Sequence, residues 1–174
     1  MKILPVISLI FAGSALAQGE LAISNQGKPC CFIVQQAGAT AAEQSAVTEL
    51  ALHLNLITGA NFEIQTNITD APKSAIIIGQ GPLAAKLFPK INFASFGPEE
   101  FVIRSQGQRL LLAGGRPRGT LYAVNRFLQE QCGVRWWTPW ATNLPPSRHV
   151  ARAGSRHARS AGLRVSRAVL VRRF

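Results

Sequence analysis

The sequence predicts an α/β domain, a mixed β-sheet with two main amphipathic helices packed on one face, preceded by a signal peptide. Three observations carry that prediction. Short apolar runs bounded by glycine alternate with two longer segments of helical period. One run, SAIIIGQG at residues 74–81, is apolar without interruption, as in a strand buried on both faces. The chain opens MKILPVISLIFAGSALAQ, with one lysine, an apolar run from Ile3 to about Gly13, and Ala15-Leu16-Ala17 before a polar residue. That is the layout of an export signal.

The elements follow in order. LAISN (residues 21–25) and CCFIVQQ (its better half residues 31–36) are short apolar segments bounded by Gly27 and Gly38, and read as strands. From Thr40 the period changes. Val47, Leu50, Leu54 and Ile57 recur at helical steps, so a helix runs from about Ala41 and stops at Thr58-Gly59. NFEIQT gives a short strand with Phe62 and Ile64 on one face. After the 74–81 run, a candidate central strand, comes a short helix over residues 82–87. EEFVIRSQGQRLLLAGG reads as a hairpin turning at Gln106-Gly107. RGTLYAVNRFLQEQCG restores the helical period through Leu121, Val124 and Leu128, with Gly133 as its terminator, and VRWWTP closes as a strand.

Charge divides the chain. There are 19 basic and 8 acidic residues, but eight of the arginines lie after Pro146. Everything before Ser147 is therefore only +3, and the high pI belongs to the tail. This gives three segments: residues 1–17 as signal peptide, 18–146 as one domain, and 147–174 as an Arg-rich tail expected to be disordered. A domain of that size buries roughly two thirds of the surface its unfolded chain exposes. The signal's apolar run is shorter than the roughly 20 residues a bilayer requires. The expected location is secreted or periplasmic, with cleavage after about Ala17 and no membrane attachment afterwards.

Most chemical motifs fail on their own residues. AGGRPRG (residues 113–119) sits between a strand and a helix, where backbone N–H groups can cradle phosphate. It lacks the Gly-Lys-Ser/Thr of a P-loop and the Gly-x-Gly-x-x-Gly of a dinucleotide site, so a tight turn is expected, with Arg116 and Arg118 as possible anion contacts. Glu99 and Glu100, read as neighbouring strand residues, point to opposite faces, whereas glycoside hydrolysis needs two carboxyls facing one sugar. Glu43 and Glu49 are expected to be solvated on the polar side of the first helix. His53 borders its apolar stripe and has no second histidine before the tail. The only aspartate, Asp70, falls in a loop, so a Ser-His-Asp triad has no members to assemble. Cys30, Cys31 and Cys132 lack the spacing of a metal site; a disulfide from Cys132 to one of the pair and buried free thiols both remain open. No cofactor, no metal and no catalytic residue is expected.

RWWTPW is different. Trp136, Trp137 and Trp140 are all the tryptophans of the chain. Adjacent strand positions place Trp136 and Trp137 on opposite sides, one in the core and the other available for packing or for stacking on a sugar. With Arg135 they are the candidate carbohydrate or domain-interface residues.

The order VTELALHLNLITGANFEI, SAIIIGQG and EEFVIRSQGQRLLLAGGRPRGTLYAVNRFLQEQCGVRWWTP resembles the N-terminal accessory domain of α-glucuronidases, of family 20 β-hexosaminidases and of bacterial glycosidase-like proteins with a DUF4838 segment. The resemblance covers residues 21–146. It implies a β-hexosaminidase domain 2-like fold without the active site, packed against a following (β/α)8 barrel that supplies the catalytic carboxylates. Such a barrel takes about 250 residues, and 28 follow Pro146. The resemblance thus implies a glycoside hydrolase, acting on carbohydrate, as the parent protein, and it transfers no catalytic residue here. A stand-alone carbohydrate-binding module using Trp136 or Trp137 is the alternative.

The tail admits two readings. A nucleic-acid arm would use its arginines, because phosphate neutralisation drives such binding. An exported protein rarely meets nucleic acid, however, and the tail has no lysine and no interleaved aromatics for base stacking. Permitted codons for residues 154–174, shifted by one base, can spell GLDTHEAPAFEYREPFWFAA, and a segment much like PAFEYRE follows the domain in the resembling families. The tail is therefore expected to be a frameshift product, the chain a truncated fragment, the missing barrel its partner and the surface around RWWTPW a cause of poor solubility.

Overall fold

The structure, a computed structural model, describes residues 21–138 and 141–145. The signal segment, Trp140 and the Arg-rich tail lie outside those residues.

The chain enters through a two-residue ribbon, β1 (Ser24–Asn25) paired antiparallel with β2 (Lys28–Pro29) around Gln26 and Gly27, whose φ values are 50° and 76°. The strand expected over 21–25 shrinks to these two residues, because Leu21 and Ile23 are drawn into the core instead. β3 (Phe32–Gln35) follows. Helix α1 (Ala41–Thr58) starts on a reciprocal cap: the Glu43 N–H donates to Thr40 Oγ1 at 3.3 Å and the Thr40 N–H donates to Glu43 Oε2 at 2.7 Å. It ends at Gly59, whose φ of 69° is a left-handed conformation that glycine adopts without strain. The four stripe residues of α1 are all buried.

β4 (Ile64–Thr66) is a sheet edge, so Phe62 joins the core while Ile64 stays 42% exposed. β5 (Ala75–Ile78) is completely buried. Then come α2 (Pro82–Leu87), the hairpin β6 (Phe101–Gln106) and β7 (Arg109–Gly114), and α3 (Gly119–Gln131). The hairpin register pairs Gln106 with Arg109, moving the turn one residue on from the expected pair, to Gly107-Gln108. Gly133, at φ 72°, lets the Val134 N–H reach back 3.0 Å to the Leu128 carbonyl and so closes α3. A second ribbon, β8 (Arg135–Thr138) against β9 (Ala141–Asn143), ends the described chain.

The main sheet has the order β4-β3-β5-β7-β6. Its first four strands are mutually parallel and β6 runs against β7. Alternation along β5 serves both faces. Ile76 and Ile78 pack with α1 and α3 through Leu50, Leu54, Val124 and Phe127. Ala75 and Ile77 face Leu83, Ala84 and Phe88, at and just after α2. The protein is therefore mixed α/β, with its two long helices on one face and a short one on the other. Each fully buried Leu or Ile contributes about 1.5–3 kcal/mol, so β5, with every side chain apolar and inside, anchors both layers.

Candidate functional site: the carboxyl edge of the sheet and the tryptophan ribbon

Two neighbouring parallel strands send the chain to opposite faces: β3 leads into α1 and β5 into α2. In open α/β sheets the crevice at such a switch point is where ligands bind. Glu43 sits there, 1% exposed, contrary to the expectation that it is solvated. Its place in the first turn of α1 turns it inward, where its carboxylate accepts the Thr40 N–H, the Gln80 N–H (3.3 Å) and the guanidinium of Arg116 (3.2 and 3.4 Å). Arg116 also donates to the Gly38 carbonyl at 3.4 Å. The anion that Arg116 contacts is thus the protein's own carboxylate. Arg118 stands exposed at the N-cap of α3 and makes no side-chain cap.

The same loop explains its glycines by packing. A Cβ on Gly115 would lie 1.8 Å from the Gly97 carbonyl oxygen, one on Gly114 would lie 2.3 Å from the Gly119 backbone, and one on Gly119 would lie 2.4 Å from the Glu100 carbonyl oxygen. Backbone meets backbone here, tied by the Gly115 N–H to Glu100 carbonyl bond (2.7 Å) and the Gly119 N–H to Pro98 carbonyl bond (3.0 Å). The Gly114 N–H donates to Thr120 Oγ1 at 3.1 Å, and Gln80 Nε2 donates to the Gly114 carbonyl at 2.6 Å. The N–H groups of Gly114, Gly115 and Gly119 are therefore spent on joining β7, α3 and the segment before β6.

In the second ribbon the tryptophans part. Trp136 is half-buried, packs on the α1–α3 core and meets the His53 ring edge-on, with centroids 5.5 Å apart at 68°. Trp137 is 72% exposed, and the ladder between β8 and β9 is irregular at this position. Arg135 donates from Nη1 to the Gln129 and Val134 carbonyls (2.6 and 2.9 Å), bracing the end of α3. Among the described candidate contact residues, Trp137 is the one that presents a ring to the outside.

The remaining candidates are accounted for locally. Glu99 and Glu100 lie in the turn before β6, outside the strand assigned to them, and Glu100 Oε2 accepts the Gly97 N–H at 3.1 Å. His53 Nδ1 is 2.9 Å from the Glu49 carbonyl oxygen and 3.3 Å from Glu49 Oε2. Asp70 pairs with Lys86 at 2.6 Å, and the hydrogen bond and charge of Lys86 lower its pKa. All three cysteines are free thiols. Burial pushes Cys31 and Cys132 up to about 12, with the neighbouring Cys30 adding to the shift at Cys31. Among the described residues no group of three or more His, Cys, Asp or Glu could hold a metal ion, and no helix is long and apolar enough to cross a membrane.

Sequence reasoning missed the Glu43–Arg116 pair and the burial of Gln36 beside it. The local half of the pair was visible, since Thr40-Ala-Ala-Glu43 before an apolar run is a capping-box signature. The other half joins positions 73 residues apart, which no local pattern reveals. The chain matches no family model and no curated protein.

Proposed function

We propose that this chain is the exported, non-catalytic N-terminal domain of a glycoside-hydrolase-like protein of polysaccharide degradation, a domain that packs against a barrel. The resemblance across residues 21–146 supports it. So does the sheet with α1 and α3 on one face, the arrangement expected of a β-hexosaminidase domain 2-like fold. The observation that carries the reading is Trp137, 72% exposed beside a Trp136 that is tucked into the core. A large ring held outward on a braced ribbon serves a surface outside the domain, and the resemblance supplies one: the face of a barrel.

In this 174-residue chain by itself, the exposed Trp137 is expected to drive self-association. Sedimentation velocity on the full chain should show concentration-dependent oligomers, and Trp137→Ser should shift them to monomer. A wild-type chain that stays monomeric at high concentration would count against the reading. A second reading shares the same observation: Trp137 is a stacking platform for a sugar ring, and the chain is a carbohydrate-binding module. It requires sugar binding that depends on Trp137.

A further inference from the structure

We propose that Asn67 is the acceptor of an N-linked glycan that caps the open edge of the sheet. The chain holds seven asparagines, and Asn67-Ile68-Thr69 is the one place where a serine or threonine stands two positions after an asparagine with no proline between. That spacing is what oligosaccharyl transfer reads. The fold keeps both ends of it available. Asn67 and Thr69 are exposed in the loop that leaves β4, while Ile68 between them is half-buried and packs on the α2 face of the sheet. Asn67 takes φ 54°, a left-handed value that asparagine tolerates better than bulkier side chains do. Among the described residues neither the Asn67 amide nor the Thr69 hydroxyl is tied into a hydrogen bond.

The place on the fold gives the modification a use. β4 is an outer strand, bonded to β3 on one side, and its Ile64 is 42% exposed. Open edges of this kind invite pairing with a second chain unless something covers them. A glycan is bulky and solubilising, and one attached just past Thr66 stands at the end of that edge. The reaction is a glycosyl transfer. Nδ2 of Asn67 attacks C1 of an oligosaccharide carried on a polyprenyl pyrophosphate. The C1–O bond breaks as the C1–N bond forms, the pyrophosphate leaves, and a base of the transferase takes the amide proton. Such transfer belongs to chains delivered across a membrane, so the proposal rests on the export reading.

The test translates two versions of the full chain with eukaryotic microsomes, one with its own residues 1–17 and one with a signal of proven export in their place. Protease protection reads delivery, and gel mobility before and after peptide N-glycosidase reads modification. Among protected chains, wild type should run as a slower band that the glycosidase removes. Asn67→Gln and Thr69→Ala should lose that band, and Thr69→Ser should keep it. Asn61→Gln, at an exposed asparagine followed by Phe62 and Glu63, should leave it unchanged. Protected wild type without the slower band overturns the proposal, as does a slower band that survives Asn67→Gln. The version with the proven signal decides the site by itself. If that version is modified while the chain with its own signal stays unprotected, the acceptor site stands and the export reading fails.

Discussion

Single residues fix the corner where β7 turns into α3. Gly115 has no room for a methyl group, since the obstacle 1.8 Å from its Cβ position is a carbonyl oxygen of the main chain and not a flexible side-chain tip. Gly115→Ala should therefore destabilise by about 3 kcal/mol, the upper end of overpacking costs, read as a lowered urea midpoint. Glu43 and Arg116 differ in what their loss leaves behind. Arg116→Ala strips one partner from a carboxylate that keeps two backbone N–H bonds, and its own side chain is 46% exposed, so the cost is about 1–2 kcal/mol. Glu43→Ala removes the carboxylate half of the α1 capping box, the tie to Gln80 and the partner of Arg116 together, while Thr40 Oγ1 keeps the residue 43 N–H, and should cost more than Arg116→Ala in the same titration. The cysteines give a pH signature. Folding raises Cys31 and Cys132 from 9.0 to about 12, so the native state keeps both as thiols where the unfolded chain ionises them. The stability they contribute is whole below pH 9 and is lost as pH rises from 9 toward 12. At pH 8 a thiol reagent should label Cys30 alone in the native protein and all three after unfolding; rapid native labelling of Cys132 would contradict the packing.

At the scale of elements, legibility followed locality. The period of α1 could be read because one stripe is buried and the cap and Gly59 are local signals; α3 has no side-chain cap, but Val124 and Leu128 of its stripe are buried and Gly133 is a local stop. β5 declared itself by an unbroken apolar run, and it lies at the centre of the sheet. The weaker strands were misread where tertiary demands override alternation. Residues 21–25 alternate as a strand should, but their apolar members are consumed by the core and only Ser24 and Asn25 stay in a ladder. Ile64 carries a strand residue's side chain at a sheet edge and stays partly uncovered. The hairpin turn moved by one because Gly107, at φ 59°, takes the first turn position, leaving Gln106 paired with Arg109. In the tryptophan ribbon the two-residue period of a strand separates Trp136 from Trp137, and that is why a sequence rule could tell that one ring would be inside. Which ring goes inward depends on α1 presenting His53, and that was not legible. Trp136→Ala should accordingly cost about 2–3 kcal/mol, while Trp137→Ala should stay within about 0.5 kcal/mol of wild type.

Over the whole molecule, the chemistry that the sequence offered turns inward. Its glycine loop joins backbone to backbone, its arginine answers an internal carboxylate, and its paired glutamates sit in a turn. Of the two described tryptophans, the one that points outward is Trp137. As proposed above, this ring serves a protein surface and the chain is an accessory domain. Titrating the full chain and Trp137→Ala with soluble polysaccharides, followed by tryptophan fluorescence, tests it most directly. An accessory domain shows no saturable change in wild type that Trp137→Ala abolishes and releases no reducing sugar; a saturable change lost in Trp137→Ala would make the chain a carbohydrate-binding module instead.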